Sequence, residues 1–365
     1  MNTAADLHEP WEGDQVAPEA DTGIPLAELT TLRVGGPAER MVTCTTTAEL
    51  IDAIRAADDS GDQVLLVGGG SNLLVGDDPI PGTVIQVATH GITEEVDDCS
   101  GAMVRVAAGE NWDDFVAYAI DQEWSGLEAL SGIPGSVGAT PIQNVGAYGA
   151  EVSEYIARVR AYHRPTREVR TFTASECAFG YRSSRFKSEA GDWVVLEVSF
   201  QLPLGELSAP IRYAELARTL NVEVGERTSM HAVRDEVLRL RRGKGMVLDP
   251  EDHDTWSAGS FFTNPILSRE AAEALPAEAP RFAHGDDVKT SAAWLIDHAG
   301  FQKGYGSGPA TLSTKHTLAL TNRGGATAAD VVALASEIRD GVRSAFGITL
   351  VPEPVLVGCA LLEPI

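Results

Sequence analysis

The stretch Pro134 to Gly149, Pro-Gly-Ser-Val-Gly-Ala-Thr-Pro-Ile-Gln-Asn-Val-Gly-Ala-Tyr-Gly, constrains this chain more than any other. Its four glycines and two prolines break both the helical and the alternating apolar period, so it must run as a loop. Glycine backbone can approach a bulky anion, and successive free N–H groups in such turns cradle phosphate oxygens without a cationic side chain. No Lys or Arg occurs between Arg105 and Arg158. A diphosphate held here would be met by backbone dipoles and hydroxyls, or by cations brought from elsewhere. An irregular connection with several turns satisfies the same composition equally well. The run is neither a Walker loop nor the dinucleotide fingerprint of a Rossmann unit.

At 365 residues the chain exceeds the size at which one core stops growing, which predicts two or three domains. Acidic residues outnumber basic ones 53 to 28, for a formal charge of -25. Such a surface argues against nucleic acid and anionic membrane as partners, and an anionic small molecule would need locally placed cations. Of five lysines, Lys187, Lys244 and Lys289 sit in polar segments bearing Gly or aromatic residues. A Lys kept in an Arg-rich chain suits a compact point charge, and coding bias accounts for it as well. Cys44, Cys99, Cys177 and Cys359 are far apart with no C-x-x-C pair, which argues against a zinc site or a disulfide framework. The start lacks a basic region followed by an apolar run, and no stretch of about 20 apolar residues occurs; a soluble, cytoplasmic protein is expected.

Residues 1–28 are acidic and aperiodic, and read as a flexible tail. Met41–Thr45 reads as a strand, and Thr47 as the cap of a helix with Leu50, Ile51 and Ile54 on one face. A buried strand, Gln63–Val67, runs into a second Gly-rich turn, Gly68-Gly69-Gly70-Ser71-Asn72, suited to phosphate. The apolar run Leu73–Val75 after it does not look like a helix start. Thr83–Val87 and Met103–Ala107 are further strands; Asn111 caps a helix with Trp112, Phe115, Val116, Ala119 and Ile120 on one face. Ile156–Tyr162 and Glu168–Phe172 form a hairpin, and Val194–Leu202 a long alternating strand. Helices are expected over Pro210–Leu220, Ser229–Arg241, Ser268–Leu275, Ser291–His298 and Ala328–Phe346, and broken strand over Thr349–Leu362. The resulting division is 30–205 as an α+β unit carrying both Gly-rich turns, 208–347 as a ligand-facing domain, and 348–365 as a returning segment.

Taken singly, the polar candidates stay open. Tyr181 to Lys187 could hold a carboxylate or phosphate, or be an exposed basic patch. Ser260, between Gly259 and two aromatics, could donate a proton in a dry pocket or be a turn serine. Glu353, between Pro352 and Pro354, has its backbone fixed on both sides, which either aims a carboxylate or marks an edge-strand irregularity. Asp297, His298 and His316 fit structural roles better than acid-base ones.

In combination the chain resembles the UDP-N-acetylenolpyruvoylglucosamine reductase family from about Thr30 to Gly358. The resemblance rests on Gly68 to Asn72, Pro134 to Gly149, Gly180 to Lys187, Ala258-Gly259-Ser260-Phe261-Phe262-Thr263-Asn264-Pro265, Ala293-Trp294-Leu295-Ile296-Asp297 and Pro352-Glu353, in that order. It implies a vanillyl-alcohol-oxidase-type FAD fold of two α+β subdomains, plus a third α+β domain that closes over a UDP-sugar. FAD is then bound noncovalently, since neither Gly-rich turn carries a His or Cys, with Gly68, Gly69, Gly70, Ser71, Asn72, Gly135, Ser136, Gly138, Thr140, Asn144, Gly146 and Tyr148 around it. The implied reaction reduces an enolpyruvyl ether to a lactyl ether with NADPH as co-substrate. Arg182 and Glu353 are implied to stabilise the enolate-like intermediate, Ser260 to deliver the proton, and Tyr213, Lys244, Asn264 and Lys289 to surround the UDP-sugar. Phe282 stands nearest to where the family's longer form carries a tyrosine over the substrate. No metal is expected, and a monomer is. The readings set beside this one are an alcohol oxidase of the same fold and a nucleotide-sugar sensor without turnover.

Overall fold

The computed structural model describes residues 9–10 and 18–363, which fall into two compact units. The first comprises residues 9–10 and 18–22, Glu39–Gly69 and Pro81–Arg241; the second comprises Gly23–Ala38, Gly70–Ile80 and residues 242–363.

In the first unit the helix Thr47–Ser60 starts at Thr46, one residue before the expected cap. Thr46 and Glu49 exchange side-chain to backbone bonds in a capping box, which satisfies two donors that a helix start otherwise leaves open. Its Leu50, Ile51 and Ile54 are fully buried, with Cys44, Ile85, Tyr162, Val194 and Leu196 in the same cluster. Beside it lies a three-stranded sheet in the order Ala38–Cys44, Ile80–Val87, Val64–Val67, the last two parallel. A larger antiparallel sheet runs in the order Glu9–Pro10, Glu168–Thr173, Ile156–His163, Trp193–Leu202, Gly101–Ala107, Ile92–Asp97.

Trp193–Leu202 departs from the expected simple alternation. Val195 and Glu197 oppose the adjacent residues Ala161 and Arg160, so Leu196 forms a bulge. One extra residue flips the pleat. Val194 and Leu196 therefore face the cluster around Ile51, whereas Val195, Val198, Phe200 and Leu202 face a second cluster under the helix Trp112–Asp121. There Phe115 and Phe200 lie 5.0 Å apart, and Trp112 donates its indole N–H to Leu130 O at 3.0 Å.

Residues 208–241 belong to the first unit, so the units divide at Arg241, later than the junction expected near residue 208. Arg234 grips Asp113 with two bonds of 2.6 and 2.9 Å, the Ala209 N–H donates to the Glu128 carboxylate, and Met230 is buried with Trp112 and Phe115. The helix expected from Pro210 begins only at Ala214, because Ile211 is already bonded through N–H to Glu226 and through C=O to Gly225.

The second unit is organised around the helix Ala328–Phe346, capped by Thr327 with Asp330 and closed by Gly347 in the left-handed conformation. Val331, Ala335, Ile338 and Val342 are buried with Leu295, Ile296, Leu312 and Leu320. Strand Leu73–Val75 pairs in parallel with Val355–Val357, which is all that remains regular of the expected strand over Thr349–Leu362; the prolines at 352 and 354 remove ladder donors ahead of it. The expected flexible tail lies outside the described residues for 1–8 and 11–17. Residues 18–28 are structured: Asp21 bonds reciprocally with Met41, and Leu26 is buried in the short helix Leu26–Leu29. No helix among the described residues is long and apolar enough to cross a membrane.

Candidate active site

Strand Val64–Val67 delivers Gly68 and Gly69 directly onto the central loop. A Cβ on Gly68 would stand 2.4 Å from Ser136 Oγ, and one on Gly69 would stand 2.7 Å from Gly135 Cα. The two Gly-rich turns thus meet at Gly69 backbone against backbone and at Gly68 against the Ser136 side chain, an approach that leaves no room for a Cβ. The loop is pinned from below: Gly135 O accepts from Trp112 N at 3.0 Å, Val137 N donates to Glu110 O at 2.8 Å, and Gly138 N donates to Ala108 O at 2.8 Å. Thr140, buried, turns its hydroxyl back to Val137 O at 2.8 Å.

The second half of the loop docks on the segment that carries Arg182. Phe186, buried edge-on against Phe172, and Ser184, whose hydroxyl donates to Ile142 O at 2.5 Å, anchor that segment. Gly180 and Ser183 close a reciprocal turn, within which Arg182 has a left-handed φ of 50°. Its guanidinium donates to Gly146 O at 3.1 Å and to Asn144 O at 3.4 Å, and Lys187 Nζ donates to Arg182 O at 2.9 Å. Asn144 is 1% exposed, and its amide is engaged with the protein: Nδ2 donates to Glu151 Oε2 at 2.7 Å and to Gly180 O at 3.2 Å, while Oδ1 accepts from Ser153 N at 3.2 Å. Glu151 was not singled out in the sequence; the only trace of it there is a carboxylate just after the loop's last glycine. Tyr148 and Tyr213, expected on cofactor and substrate respectively, meet edge to face with centroids 5.5 Å apart.

Deeper in the same unit, burial works against the charge of Asp113, but the Arg234 bonds, the Gly132 N–H and the charges of Arg234 and Arg241 outweigh it and hold the carboxyl below its ordinary value of 3.8. Burial pushes the Glu128 carboxyl up against the pull of its backbone donors Gly126 and Ala209, and Tyr155 beside it is pushed up to about 12 by burial and then by the charge of Glu128.

In the second unit Gly70, at φ 58°, gives its carbonyl to Thr31 N at 3.2 Å. Half-buried Ser71 follows, then Asn72, whose O accepts from Val355 N at 2.9 Å and whose Nδ2 donates to Glu353 O at 3.4 Å. The Ser260 loop runs antiparallel to the Glu353 segment: Phe262 bridges Pro352, Glu353 N donates to Phe261 O at 2.8 Å, and Thr263 N donates to Val351 O at 3.0 Å. Phe261 and Phe262, each 1% exposed with centroids 5.1 Å apart, root this pair in the core. Ser260 and Glu353 therefore sit as neighbours on two bonded segments, both half-buried. Asn264 accepts from Ala292 N at 2.9 Å, fixing the start of the helix Ala292–His298, and Lys289 is paired with Ile266 on one side and Phe282 on the other. Phe282 is 54% exposed. Lys244 is half-buried just past the helix Met230–Gly243. Two residues that sequence reasoning passed over brace the Ser260 loop: Thr31 donates to Ser257 O at 2.7 Å, and the Arg33 guanidinium lies 4.1 Å from the Trp256 ring centroid. No group of three or more His, Cys, Asp or Glu able to hold a metal occurs among the described residues.

Comparison with known proteins assigns both halves. Residues 249–357 match the family described as UDP-N-acetylenolpyruvoylglucosamine reductase, C-terminal domain, and residues 38–172 match an FAD binding domain. The chain is 58% identical over 359 residues to the UDP-N-acetylenolpyruvoylglucosamine reductase of Cutibacterium acnes, covering 97% of this chain and 95% of that one. It is also 58% identical over 352 residues to the protein of that name from Streptomyces avermitilis, covering 92% and 94%. A crystal structure of the reductase from Thermus caldophilus superposes with a TM-score of 0.63 at 27% identity, over 93% of this chain and 98% of that one. The expected α+β fold with its FAD-binding part holds.

Proposed function

Because this chain belongs to the UDP-N-acetylenolpyruvoylglucosamine reductase family, an oxidoreductase family of peptidoglycan precursor synthesis, we propose that it reduces the enolpyruvyl ether of UDP-N-acetylglucosamine to the lactyl ether, giving UDP-N-acetylmuramate at the expense of NADPH and one proton. FAD, bound there, would supply the redox chemistry, relaying hydride through its N5 between NADPH and the terminal carbon of the enolpyruvyl double bond. The chain's residues fit that group: Gly68 against the Ser136 hydroxyl and Gly69 against the Gly135 backbone offer main chain and a hydroxyl to a diphosphate, with Gly138, Thr140, Gly146 and Tyr148 further along the loop and Gly70, Ser71 and Asn72 continuing the first turn. Asn144 serves through its loop contacts.

Hydride arriving at the terminal carbon leaves negative charge on the carbon next to the substrate carboxylate. Fixed positive charge at that carboxylate is the main electrostatic requirement, and Arg182 supplies it, with Glu353 serving the same intermediate as a hydrogen-bonding group. Ser260 gives its hydroxyl proton to the same carbon. A hydroxyl is an ordinary poor acid, but protonation of so basic a carbon is downhill, and positioned proton transfer contributes roughly 10² to 10⁴-fold. Tyr213, Lys244, Asn264 and Lys289 receive the UDP-sugar. The observation that carries the reading is the bond from Glu353 N to Phe261 O, which holds Ser260 and Glu353 side by side on a buried aromatic footing.

An anaerobic two-step titration tests it. The yellow protein should bleach with NADPH and regain colour with the enolpyruvyl substrate. Recolouring by oxygen alone at a comparable rate would make it an oxidase, and a colourless protein that cannot be loaded with FAD would make it a sensor. Ser260→Ala should leave bleaching unchanged and slow recolouring by about 10² to 10⁴-fold; equal loss in both steps refutes the proton-donor role.

A further inference from the structure

We propose that Glu151 is a positioning residue for Arg182, acting through Asn144; the inference rests on the role just given to Arg182 and extends it to Glu151, which has no assigned part. Asn144 holds the arginine at both ends. Its backbone O accepts from the guanidinium at 3.4 Å, and its side-chain amide donates to Gly180 O, in the turn from which Arg182 projects, at 3.2 Å. Asn144 itself adopts a left-handed φ of 46° and is buried, so its amide must be fully engaged to stay in place. The shortest of its bonds, 2.7 Å, goes to the Glu151 carboxylate.

Glu151 is in turn fixed. It caps the short helix Val152–Glu154 by accepting from Glu154 N, while its own N–H donates to Glu154 Oε1 at 3.2 Å, and Arg212 binds the Glu154 carboxylate at 2.7 Å. Gly146, whose carbonyl takes the second guanidinium bond, pairs with Glu151 across a two-residue ladder. A Cβ there would stand 3.0 Å from Glu151 Cγ and 3.5 Å from Arg182 Nη1, so both side chains close on the same glycine. Arg212, Glu154, Glu151, Asn144 and Arg182 form one hydrogen-bonded chain from the residue preceding Tyr213 to the arginine. A guanidinium set in advance loses no reorganisation when charge develops, and a misplacement of about 1 Å can cost roughly 10²-fold.

The test uses FAD-loaded protein and reads the two half-reactions separately. Glu151→Ala should slow substrate-driven recolouring by about 10 to 100-fold while NADPH bleaching stays within about twofold. Glu151→Gln, which keeps an oxygen for Asn144 Nδ2, should restore most of the rate. Independently of turnover, the Arg182 side-chain Nε–H resonance should broaden or shift in Glu151→Ala and return in Glu151→Gln. Equal slowing of both half-reactions, or an unmoved Arg182 resonance, overturns the inference. Arg182→Lys separates the two levels. If it slows recolouring and Glu151→Ala does not, positioning fails alone; if Arg182→Lys recolours normally, the role of Arg182 fails first.

Discussion

Gly70 has a backbone conformation and a setting that no other residue tolerates. Its φ is 58°, and a Cβ would fall 1.7 Å from Leu29 O, an atom of the main chain that cannot swing aside. Gly70→Ala should therefore destabilise the protein by about 3 kcal/mol, read as a lowered urea midpoint at unchanged slope; a shift within experimental error would mean that residues 29–31 yield freely. The requirement for glycine was legible in the sequence, as part of a Gly-Gly-Gly turn, but its reason was not, because Leu29 meets it only in the fold. Asn144 was legible in a similar, partial way. Its presence in the loop marked it for a ligand, while the structure spends its amide on Glu151, Gly180 and Ser153.

Elements were readable where one local period decided them. Ala328–Phe346 has the expected bounds because a 3.6-residue apolar stripe and two good caps agree. Trp193–Leu202 was misread because a bulge changes which side chains share a face, and bulges leave no mark on the pattern. Docking between elements was the least visible. The helices Trp112–Asp121 and Met230–Gly243 are joined by Asp113 and Arg234, separated by 121 positions. That pair carries a pH dependence. The native Asp113 carboxyl lies below 3.8, so its contribution to stability is present above about that value and is lost as pH falls through the native one. Asp113→Asn should cost about 2 kcal/mol at neutral pH, and the gap between variant and parent should close as pH drops below the ordinary aspartate range. Unfolding curves from pH 2 to 7 check it; a constant gap would show that Asp113 does not titrate with folding.

Charge acts on the whole molecule. A formal charge of -25 makes the folded state repel itself, and salt shortens the range of that repulsion to roughly 10 Å at 0.1 M. The melting temperature should rise by about 3 °C or more between low salt and about 0.5 M sodium chloride; a fall would mean that ion pairs such as Arg164 with Asp58 and Arg234 with Asp113 outweigh the excess. Composition gave this property directly. The assignment of residues 208–241 to the first unit, by contrast, depends on tertiary partners that composition does not encode.

One bond described above has a bearing on how the protein is made. Asn72 and Glu353, 281 positions apart, are joined side by side, and the strand after each pairs in parallel with the other. Contacts so distant along the polypeptide form late and slowly. During translation the early strand Leu73–Val75 must wait, its edge open, until the codons for Val355–Val357 have been read. Glu353 thus arrives together with the strand that closes this pairing, and a ribosome halted before it would release a chain in which Leu73–Val75 lacks the Val355–Val357 strand.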